Sequence, residues 1–366
     1  MKFTIQRELL LHALQLVIGV VERRQTLAVL SNILLKISNN QLHLVGTDLE
    51  VELTSHLTLI GDHVAGEITV PGRKFVDIVR SLSDEVMLEI SDKNQNVIIS
   101  SGRSRFTLTT LPAKDFPTSA TLPNTIELTL KQTAFLVLLE QTYFAMAQQD
   151  VRYFLNGLLL ELNDKKVRTV ATDGHRLALC DLAMPLLSES TQVIIPRKGV
   201  MELLRLLNHN DDEISIKIST QSITLTTREF IFNSRLIDGR FPDYNKVIPK
   251  AGDKTVLIDK DLFKQVLNRV AILSNEKYHA VQIQLNAGLM AVIANNPEQE
   301  QAEEEVEIDY QGPVVNINFN VNYLIDAITA LSTSSIKLTF SNPDSGVLIE
   351  GIGIDNVLYI VMPLRI

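Results

Sequence analysis

A motif that recurs at a fixed spacing constrains this chain more than any other feature of its sequence. VATDGHRL surrounds Thr172, VGTDLE surrounds Thr47, and IANNPE surrounds Asn295. These three positions are 125 and 123 residues apart by their numbers, close to one-third of the 366-residue chain. A repeat of this length predicts one structural unit that occurs three times.

Each third of the chain contains two rounds of a strand, a helix and further strands. Apolar residues at helical spacing predict six amphipathic helices, at 8–21, 73–82, 131–146, 197–207, 260–273 and 321–331. Short alternating runs between turn residues predict antiparallel hairpins. Phe116-Pro117 and Phe241-Pro242 close the first two thirds. We therefore predict an α+β fold of three similar domains, each with two helix-plus-antiparallel-sheet half-units, with boundaries at 1–121, 122–249 and 250–366.

Composition favours a protein with a large aliphatic core in a reducing compartment. Hydrophobic residues make up 45% of the chain, and Cys180 is its single cysteine. Because Cys180 lies in an apolar run, we expect a buried side chain rather than a nucleophile. The apolar segment 9–21 is interrupted by His12 and Gln15, and no run approaches the ~20 apolar residues of a membrane span. These features predict a soluble, cytoplasmic protein.

The charges are unevenly distributed. The helical segments with their flanking residues carry a net charge of +6, against −15 for the remainder of a chain whose net charge is −9, when they are counted over 7–24, 73–82, 131–149, 197–207, 260–277 and 321–331. Arg73-Lys74 and Arg197-Lys198 stand at equivalent helix starts, where the helix dipole disfavours cations. A solvated surface would explain any one helix. The repeated placement favours a helix-lined surface that contacts the phosphate backbone of DNA without reading bases.

The ends of such sheets raise the question of assembly. An unpaired edge strand presents free backbone groups that can bind another chain. A closed homo-oligomer would pair these edges, so we expect one.

An enzymatic interpretation would use Asp173 and His175, with Asp48 as a helper. The copy around Asp48 has no histidine, and the third copy has neither the acid nor the histidine. The chain has no P-loop, zinc-ligand set or glycine-rich dinucleotide turn. The sequence therefore predicts no catalytic residue, no metal site and no cofactor.

A dozen segments in order along the chain carry a resemblance to a known family. They read MKFTIQRELL, GTDLE, VPGRKF, SGRSRF, TLPAKDFP, QDVRYFLNG, TVATDGHRLA, IPRKGV, DGRFPDY, AILSNEKY, NNPEQE and VMPLRI. From Met1 to Ile366 the chain resembles the bacterial DNA polymerase III β sliding clamps.

The resemblance implies the DNA clamp fold and a head-to-tail homodimeric ring around duplex DNA, with its helices facing the hole. It implies a non-catalytic processivity factor of DNA replication, placed by an ATP-driven clamp loader. Its partners would be the DNA polymerase III catalytic subunit, other polymerases and repair proteins that carry a clamp-binding peptide. The alternative is a non-ring DNA-binding or scaffolding protein.

The resemblance also places a partner-peptide pocket on this chain. Without it, the same residues would be interpreted as the ends of core strands. Lys246 replaces the family's usual arginine and loses its planar fork, and Leu364 and Ile366 also depart from the usual pattern. The implied pocket residues are Leu155, Thr172, Gly174, His175, Arg176, Leu177, Pro242, Lys246, Val247, Ile360, Val361, Met362, Pro363, Leu364 and Arg365.

Two further surfaces follow from the resemblance. The DNA-facing positions are Arg24, Arg73, Gln149, Tyr153, Arg197 and Lys198, each of which could otherwise be solvated surface. The dimer interface would join a basic and apolar patch to an acidic and apolar one. Its residues are Lys74, Arg103, Arg105, Phe106 and Leu108 on one side, and Ile272, Leu273, Glu298, Glu300, Glu303 and Glu304 on the other. By itself the acidic run at 298–307 would be interpreted as solvated surface.

Overall fold

The computed structural model describes residues 1–22, 27–83, 85–91, 96–119, 126–163, 165–184, 190–249, 252, 254–342 and 344–365. The chain divides into two compact units, each described by itself. Unit 1 comprises 1–133 with 201–236, and unit 2 comprises 134–200 with 237–366. The predicted domain boundaries are not tested by this division and stay a prediction.

The described residues contain six α-helices, one at each predicted position. They are α1 (Arg7–Val17), α2 (Gly72–Ser81), α3 (Gln132–Glu140), α4 (Arg197–Leu206), α5 (Lys260–Ala271) and α6 (Val321–Ala330).

The strands are short and mostly follow one another in hairpins. The first half of the chain contains β1 (Lys2–Ile5), β2 (Asn32–Ser38), β3 (Gln41–Thr47), β4 (Val51–Thr58), β5 (Gly66–Pro71), β6 (Val86–Ser91), β7 (Asn96–Ser101), β8 (Ser104–Thr109), β9 (Ile126–Lys131), β10 (Gly157–Leu162), β11 (Lys166–Thr172) and β12 (Arg176–Ala183). The second half contains β13 (Thr191–Pro196), β14 (Glu213–Ile218), β15 (Ser222–Thr226), β16 (Phe230–Arg235), β17 (Lys254–Asp259), β18 (Ala280–Asn286), β19 (Leu289–Asn295), β20 (Gln301–Glu307), β21 (Val315–Asn320), β22 (Ser335–Phe340), β23 (Val347–Gly351) and β24 (Val357–Val361).

Each unit contains one eight-stranded and one four-stranded antiparallel sheet. In unit 1 the strand orders are β5-β2-β3-β4-β16-β15-β14-β9 and β1-β6-β7-β8. In unit 2 they are β13-β10-β11-β12-β24-β23-β22-β17 and β20-β19-β18-β21. The eight-stranded sheets are continuous because β4 pairs with β16, and β12 with β24. The predicted α+β class and the edge-to-edge joining of half-sheets are thus confirmed within each unit.

The helices bury the apolar faces that the sequence predicts. α2 buries Phe75, Val76 and Val79, while Arg73 and Lys74 stay exposed. Asp259 immediately precedes α5, and its carboxylate accepts a hydrogen bond from the Leu262 amide at 2.8 Å, as expected of an N-cap. One apolar stripe on each helix therefore packs into a core, as in other helix-on-sheet layers.

Two predicted helices end earlier than expected. α1 stops at Val17 and continues as a 3₁₀ turn over Ile18–Val20, and Arg205 donates hydrogen bonds to the carbonyls of Gln15 and Leu16, at 3.1 and 2.7 Å. These bonds satisfy carbonyls at the helix end that have no partner within the helix. α3 stops at Glu140, and the Thr142 hydroxyl donates to the Leu138 carbonyl at 2.7 Å. Such a side-chain bond competes with the helical backbone.

The strand β20 was not expected from the sequence. β20 coincides with the acidic run that the sequence favours as solvated surface. It pairs along its whole length with β19 and forms the outer strand of its sheet. Val306 is buried while its neighbours Glu305 and Glu307 are exposed. The glutamates of β20 therefore obscure the alternation of apolar and polar residues that identifies a strand. An edge strand tolerates such charges because one of its sides has no partner strand.

Candidate partner-binding site

The turn between β11 and β12 is built by Thr172 and Asp173. The Thr172 hydroxyl donates to the Arg176 carbonyl at 2.6 Å and accepts from the Gly174 amide at 3.1 Å. The Asp173 carboxylate accepts from the amides of His175 and Arg176, at 2.8 and 3.0 Å. Gly174 has φ +89°, a conformation that favours glycine. The side chains of Thr172 and Asp173 therefore close the turn through backbone groups of the next residues.

The copy of this turn in unit 1 has the same hydrogen bonds. The Thr47 hydroxyl donates to the Val51 carbonyl at 2.9 Å, and the Asp48 carboxylate accepts the amides of Glu50 and Val51 at 2.9 and 2.7 Å. Leu49 adopts φ +79° at the position of Gly174. The threonine and the aspartate therefore serve the turn, and Asp173 is not poised as a catalytic acid.

An apolar cleft lies beside the turn in unit 2. Its volume is about 270 Å³, and a mainly apolar concavity with a few polar groups is typical of a ligand site. Of the residues implied by the resemblance, it is lined by Leu155, Thr172, Gly174, Arg176, Leu177, Pro242, Val247, Ile360 and Met362.

The floor of the cleft is part of a buried cluster. Leu177, Tyr244 and Ile360 line the cleft and pack with Leu159 and Phe241 beneath it. β12 and β24 bring Leu177 and Ile360 side by side as cross-strand partners. The floor is therefore held by the sheet itself, which makes it a preformed surface.

Arg176 forms a wall of the cleft and is held on several sides. Its guanidinium donates to Asp173 at 3.1 Å and to Asp326 on α6 at 2.5 Å. It also lies over the ring of Tyr323, 4.5 Å from the centroid, where a cation is attracted by the ring face. Burial raises the pKa of Tyr323, so the ring stays neutral in this position.

Six implied pocket residues do not line the cleft. Val361 is buried in β24, and His175 stacks on Tyr323 with 6.4 Å between ring centroids. Lys246 extends into solvent, with its amine 3.5 Å from the carboxylate of Asp243. The others are Pro363, Leu364 and Arg365, which follow β24; the Leu364 amide donates to the Asn318 carbonyl at 2.8 Å. These six lie around the cleft rather than in it.

Four lining residues were missed by sequence reasoning: Arg152, Phe154, Asp243 and Tyr244. Phe154 and Tyr244 are aromatic neighbours of predicted pocket residues in the chain, which was an available signal. Arg152 is held by Asp150, and these hydrogen bonds lower the pKa of Asp150 to about 2. Its approach to the cleft comes from a bond to the Asp173 carbonyl at 3.2 Å, which only the tertiary structure reveals.

The implied DNA-facing residues are found on several elements. Arg24 lies outside the described residues. In unit 1, Arg73 is exposed at the start of α2 and donates to the Val21 carbonyl at 3.2 Å. In unit 2, Gln149 and Tyr153 are exposed, whereas Arg197 and Lys198 are half-buried at the start of α4. Gln149 and Arg197 line one cleft of about 450 Å³.

Four of the five implied interface residues of unit 1 lie at one sheet edge. β8 is the outer strand of its four-stranded sheet and carries Arg105, Phe106 and Leu108. Arg103 is exposed in the preceding turn, and Lys74 is exposed on α2. The edge is therefore basic, with half-buried apolar side chains in it.

The implied interface residues of unit 2 lie at or near another outer strand, β20. Glu303 and Glu304 belong to it, and Glu298 and Glu300 are exposed in the turn before it. Arg269 on α5 forms an ion pair with Glu304, and this hydrogen bond lowers the pKa of that carboxyl. At the end of α5, Ile272 is 77% exposed and Leu273 is half-buried. This edge is acidic and also has an apolar part.

Comparisons with known proteins match the whole chain. Models of the DNA polymerase III beta subunit match as its N-terminal domain over 1–121, its central domain over 129–243 and its C-terminal domain over 245–365. The beta sliding clamp of Pseudomonas putida is 51% identical over 367 residues, with both chains fully covered. The crystal structure of the DNA polymerase III subunit beta from Pseudomonas aeruginosa superposes with a TM-score of 0.97 at 49% identity, with both chains fully covered. The crystal structure of a sliding clamp from Pseudomonas aeruginosa bound to griselimycin superposes with a TM-score of 0.96 at 50% identity, and both chains are again fully covered.

Repeated helix-and-antiparallel-sheet units with this topology define a protein with the three-domain DNA clamp fold. The chain belongs to the DNA polymerase III beta subunit family, the bacterial beta sliding clamps. The family is non-catalytic, which excludes the enzymatic interpretation of Asp173 and His175. None of the helices in the described parts of the chain is long and apolar enough to cross a membrane.

Cys180 is buried in β12, and burial raises the pKa of its thiol to about 12. Because the thiolate is the reactive form, we expect iodoacetamide at pH 8 to leave the folded protein unmodified. The same reagent should alkylate the chain rapidly in guanidinium chloride. Mass spectrometry over time measures both rates. Equal rates in the two conditions would contradict the buried position.

Proposed function

We propose that two copies of this chain close head to tail into a ring around duplex DNA and act as the processivity factor of DNA replication. The observation that carries the proposal is the pair of open sheet edges, basic at β8 and acidic at β20, in a chain that matches beta sliding clamps along its full length. Each edge offers free backbone groups to the other, and the opposite charges set the orientation.

The proposed interface brings β8 of one copy beside β20 of the other. Arg103, Arg105 and Lys74 would then face the acidic side chains of the partner copy. The apolar part would join Phe106 and Leu108 to Ile272 and Leu273. A head-to-tail contact closes into a ring only when the rotation is right, and otherwise continues as a filament.

We further propose that the cleft in unit 2 binds a short peptide of each partner protein. Its floor takes apolar side chains, while Arg176 and Thr172 supply polar contacts at its rim. The partners would be the DNA polymerase III catalytic subunit, the clamp loader, other polymerases and repair proteins. Around the cleft, His175, Lys246, Pro363, Leu364 and Arg365 would contact the flanking residues of that peptide.

The proposed contacts with DNA are weak and independent of sequence. Arg24, Arg73, Arg197 and Lys198 would pair with phosphates, and Gln149 and Tyr153 would contact the backbone from loops. The proposed domains are 1–121, 122–249 and 250–366, and the proposed location is the cytoplasm. The alternative of a non-ring DNA-binding or scaffolding protein is not favoured, because clamps match the chain over its full length.

The ring is tested by comparing release from circular and linear DNA. After loading by the clamp loader on nicked circular DNA, the protein should stay bound through gel filtration at high salt. Cutting the circle should release it within minutes, since a ring slides off free ends while its direct affinity for DNA is low and salt-dependent. Equal retention before and after cutting would overturn the ring. A footprint at a preferred site would instead favour the alternative.

A further inference from the structure

Unit 1 contains a cleft of about 520 Å³ over β2, β3 and β4, bordered by the segment 111–118. Its apolar floor is formed by Leu34, Val45 and Phe116, which belong to one buried cluster. Lys36, His43 and Lys114 stand around this floor. This concavity is the unit 1 cleft.

The floor of the unit 1 cleft repeats positions that in unit 2 pack beneath the cleft of that unit rather than line it. Leu34 pairs with Val45 across β2 and β3, and Leu159 pairs with Val170 across β10 and β11. Phe116 and Phe241 occupy the same position in the repeat. The paired strands therefore have the same register in both units, so side chains at repeated positions can be compared directly.

In unit 2 a row of charged side chains across this surface is compensated. Arg168 donates to Asp181 at 2.6 Å and to the Tyr244 hydroxyl at 3.0 Å. Tyr244 in turn donates to Glu161 at 2.9 Å. These hydrogen bonds anchor Tyr244 over the sheet. The positive charge of Arg168 is balanced by the carboxylates of Asp181 and Glu161 in the same row.

The same row in unit 1 has lost both carboxylates. Lys36 stands at the position of Glu161, His43 at that of Arg168, and His56 at that of Asp181, with the same cross-strand pairing. Ser119 replaces Tyr244, and its amide donates to Glu52 at 2.8 Å instead. No side chain therefore anchors the border segment over this row within the described residues.

Two lysines, one histidine and one glutamate stand around His43. They are Lys36 on β2, His56 on β4 and Lys114 on the border segment, against Glu67 on β5. The carboxylate of Glu67 lies 3.9 Å from the amine of Lys36. Burial, His56 and Lys36 lower the pKa of His43. A negative group in the unit 1 cleft would relieve this repulsion.

We propose that the unit 1 cleft binds an extended acidic peptide segment of a partner protein. An apolar side chain of the segment would lie on Leu34, Val45 and Phe116, and its carboxylates would face Lys36, His43 and Lys114. A peptide fits better than a phosphate ion because the floor is apolar and the cleft is large enough for several side chains. This site is separate from the cleft in unit 2, and it would select its peptide ligands by their negative charge.

The test uses the full-length protein and two synthetic peptides. The acidic peptide is acetyl-Gly-Asp-Phe-Asp-Leu-Gly-amide, and its analogue has asparagine in place of both aspartates. Ring signals of the 7 histidines are followed by NMR, and the signal lost in His43→Gln identifies His43. We expect the acidic peptide to shift this signal and to raise the pKa of His43, because a nearby anion stabilises the imidazolium. The asparagine analogue should shift it far less.

A charge reversal with a matched control completes the test. Lys36→Glu should weaken binding of the acidic peptide about tenfold. Lys217→Glu is the control, because both lysines are on unit 1 strands and pair with a glutamate, with side chains 53% and 47% exposed. It should leave the affinity unchanged, and thermal melting should show both variants folded.

Three results would overturn the proposal. The first is no shift of His43 with either peptide. The second is an equal shift with both, because the carboxylates would then play no part. The third is an equal shift with inorganic phosphate alone, which would make this a simple anion site.

Discussion

Replacing Ile272 and Leu273 together by alanine is expected to turn the dimer into monomers. Ile272 is 77% exposed at the end of α5, so the substitution leaves the core of the free chain intact. Each truncation removes apolar surface that the proposed interface buries, at about 2 kcal/mol per side chain. A ring has two such interfaces, so the loss on full dissociation is about 8 kcal/mol, or more than 10⁵-fold in the dissociation constant.

Sedimentation velocity at 1 to 10 micromolar protein, about the range that separates tight from weak dimers, measures this change. The control is Leu257→Ala with Leu262→Ala, two exposed leucines of the same unit that lie outside the proposed interface. The control should remain dimeric. A dimer that survives the Ile272 and Leu273 substitutions would refute this interface, even if the ring itself were shown by other means.

A carboxylate at Val247 is expected to abolish partner binding at the cleft in unit 2. Val247 lines this cleft and is 44% exposed, so Val247→Asp should fold normally. A bound peptide would bury the new charge against apolar atoms without a partner, which costs several kcal/mol. We expect affinity for the DNA polymerase III catalytic subunit to fall at least about 100-fold, equivalent to about 2.7 kcal/mol.

Surface plasmon resonance with the immobilised protein measures that affinity. Val314→Asp is the matched control, because Val314 is a 65% exposed valine of the same unit away from the cleft. Sedimentation should show both variants as dimers, which separates loss of the peptide site from loss of the ring. Unchanged affinity in Val247→Asp would contradict the assignment of the cleft as the partner site.

Local sequence pattern was enough to predict most of the secondary structure. All six helices were predicted because each carries a stripe of apolar residues at helical spacing, as in Phe75, Val76 and Val79 of α2. Helix ends were predicted less well, since α1 ends where Arg205 from another part of the chain bonds its carbonyls. β20 was missed because Glu304, which pairs with Arg269 of α5, interrupts the apolar residues on the inner face of this open-edge strand.

The peptide cleft was predicted from resemblance rather than from residue chemistry. Its residues come from the turn after β11, from 242–247 and from β24, and nothing local joins these segments. Arg152 was missed because its position depends on a hydrogen bond to the Asp173 carbonyl. Tyr244 was missed because hydrogen bonds to Arg168 and Glu161, which are distant in sequence, hold it in place.

The VATDGHRL motif illustrates the difference between what the sequence determines and what only the tertiary structure determines. The sequence by itself determined the threefold repeat, the helices and the turn that Thr172 and Asp173 share with Thr47 and Asp48, because these depend on periodicity and on contacts within five residues. Only the tertiary structure decided that the middle copy borders an apolar cleft, and that Val45 of the first copy lies in a cleft with Lys36 and Lys114 around it. That difference depends on which side chains meet across strands of a sheet, and cross-strand neighbours are far apart in the chain.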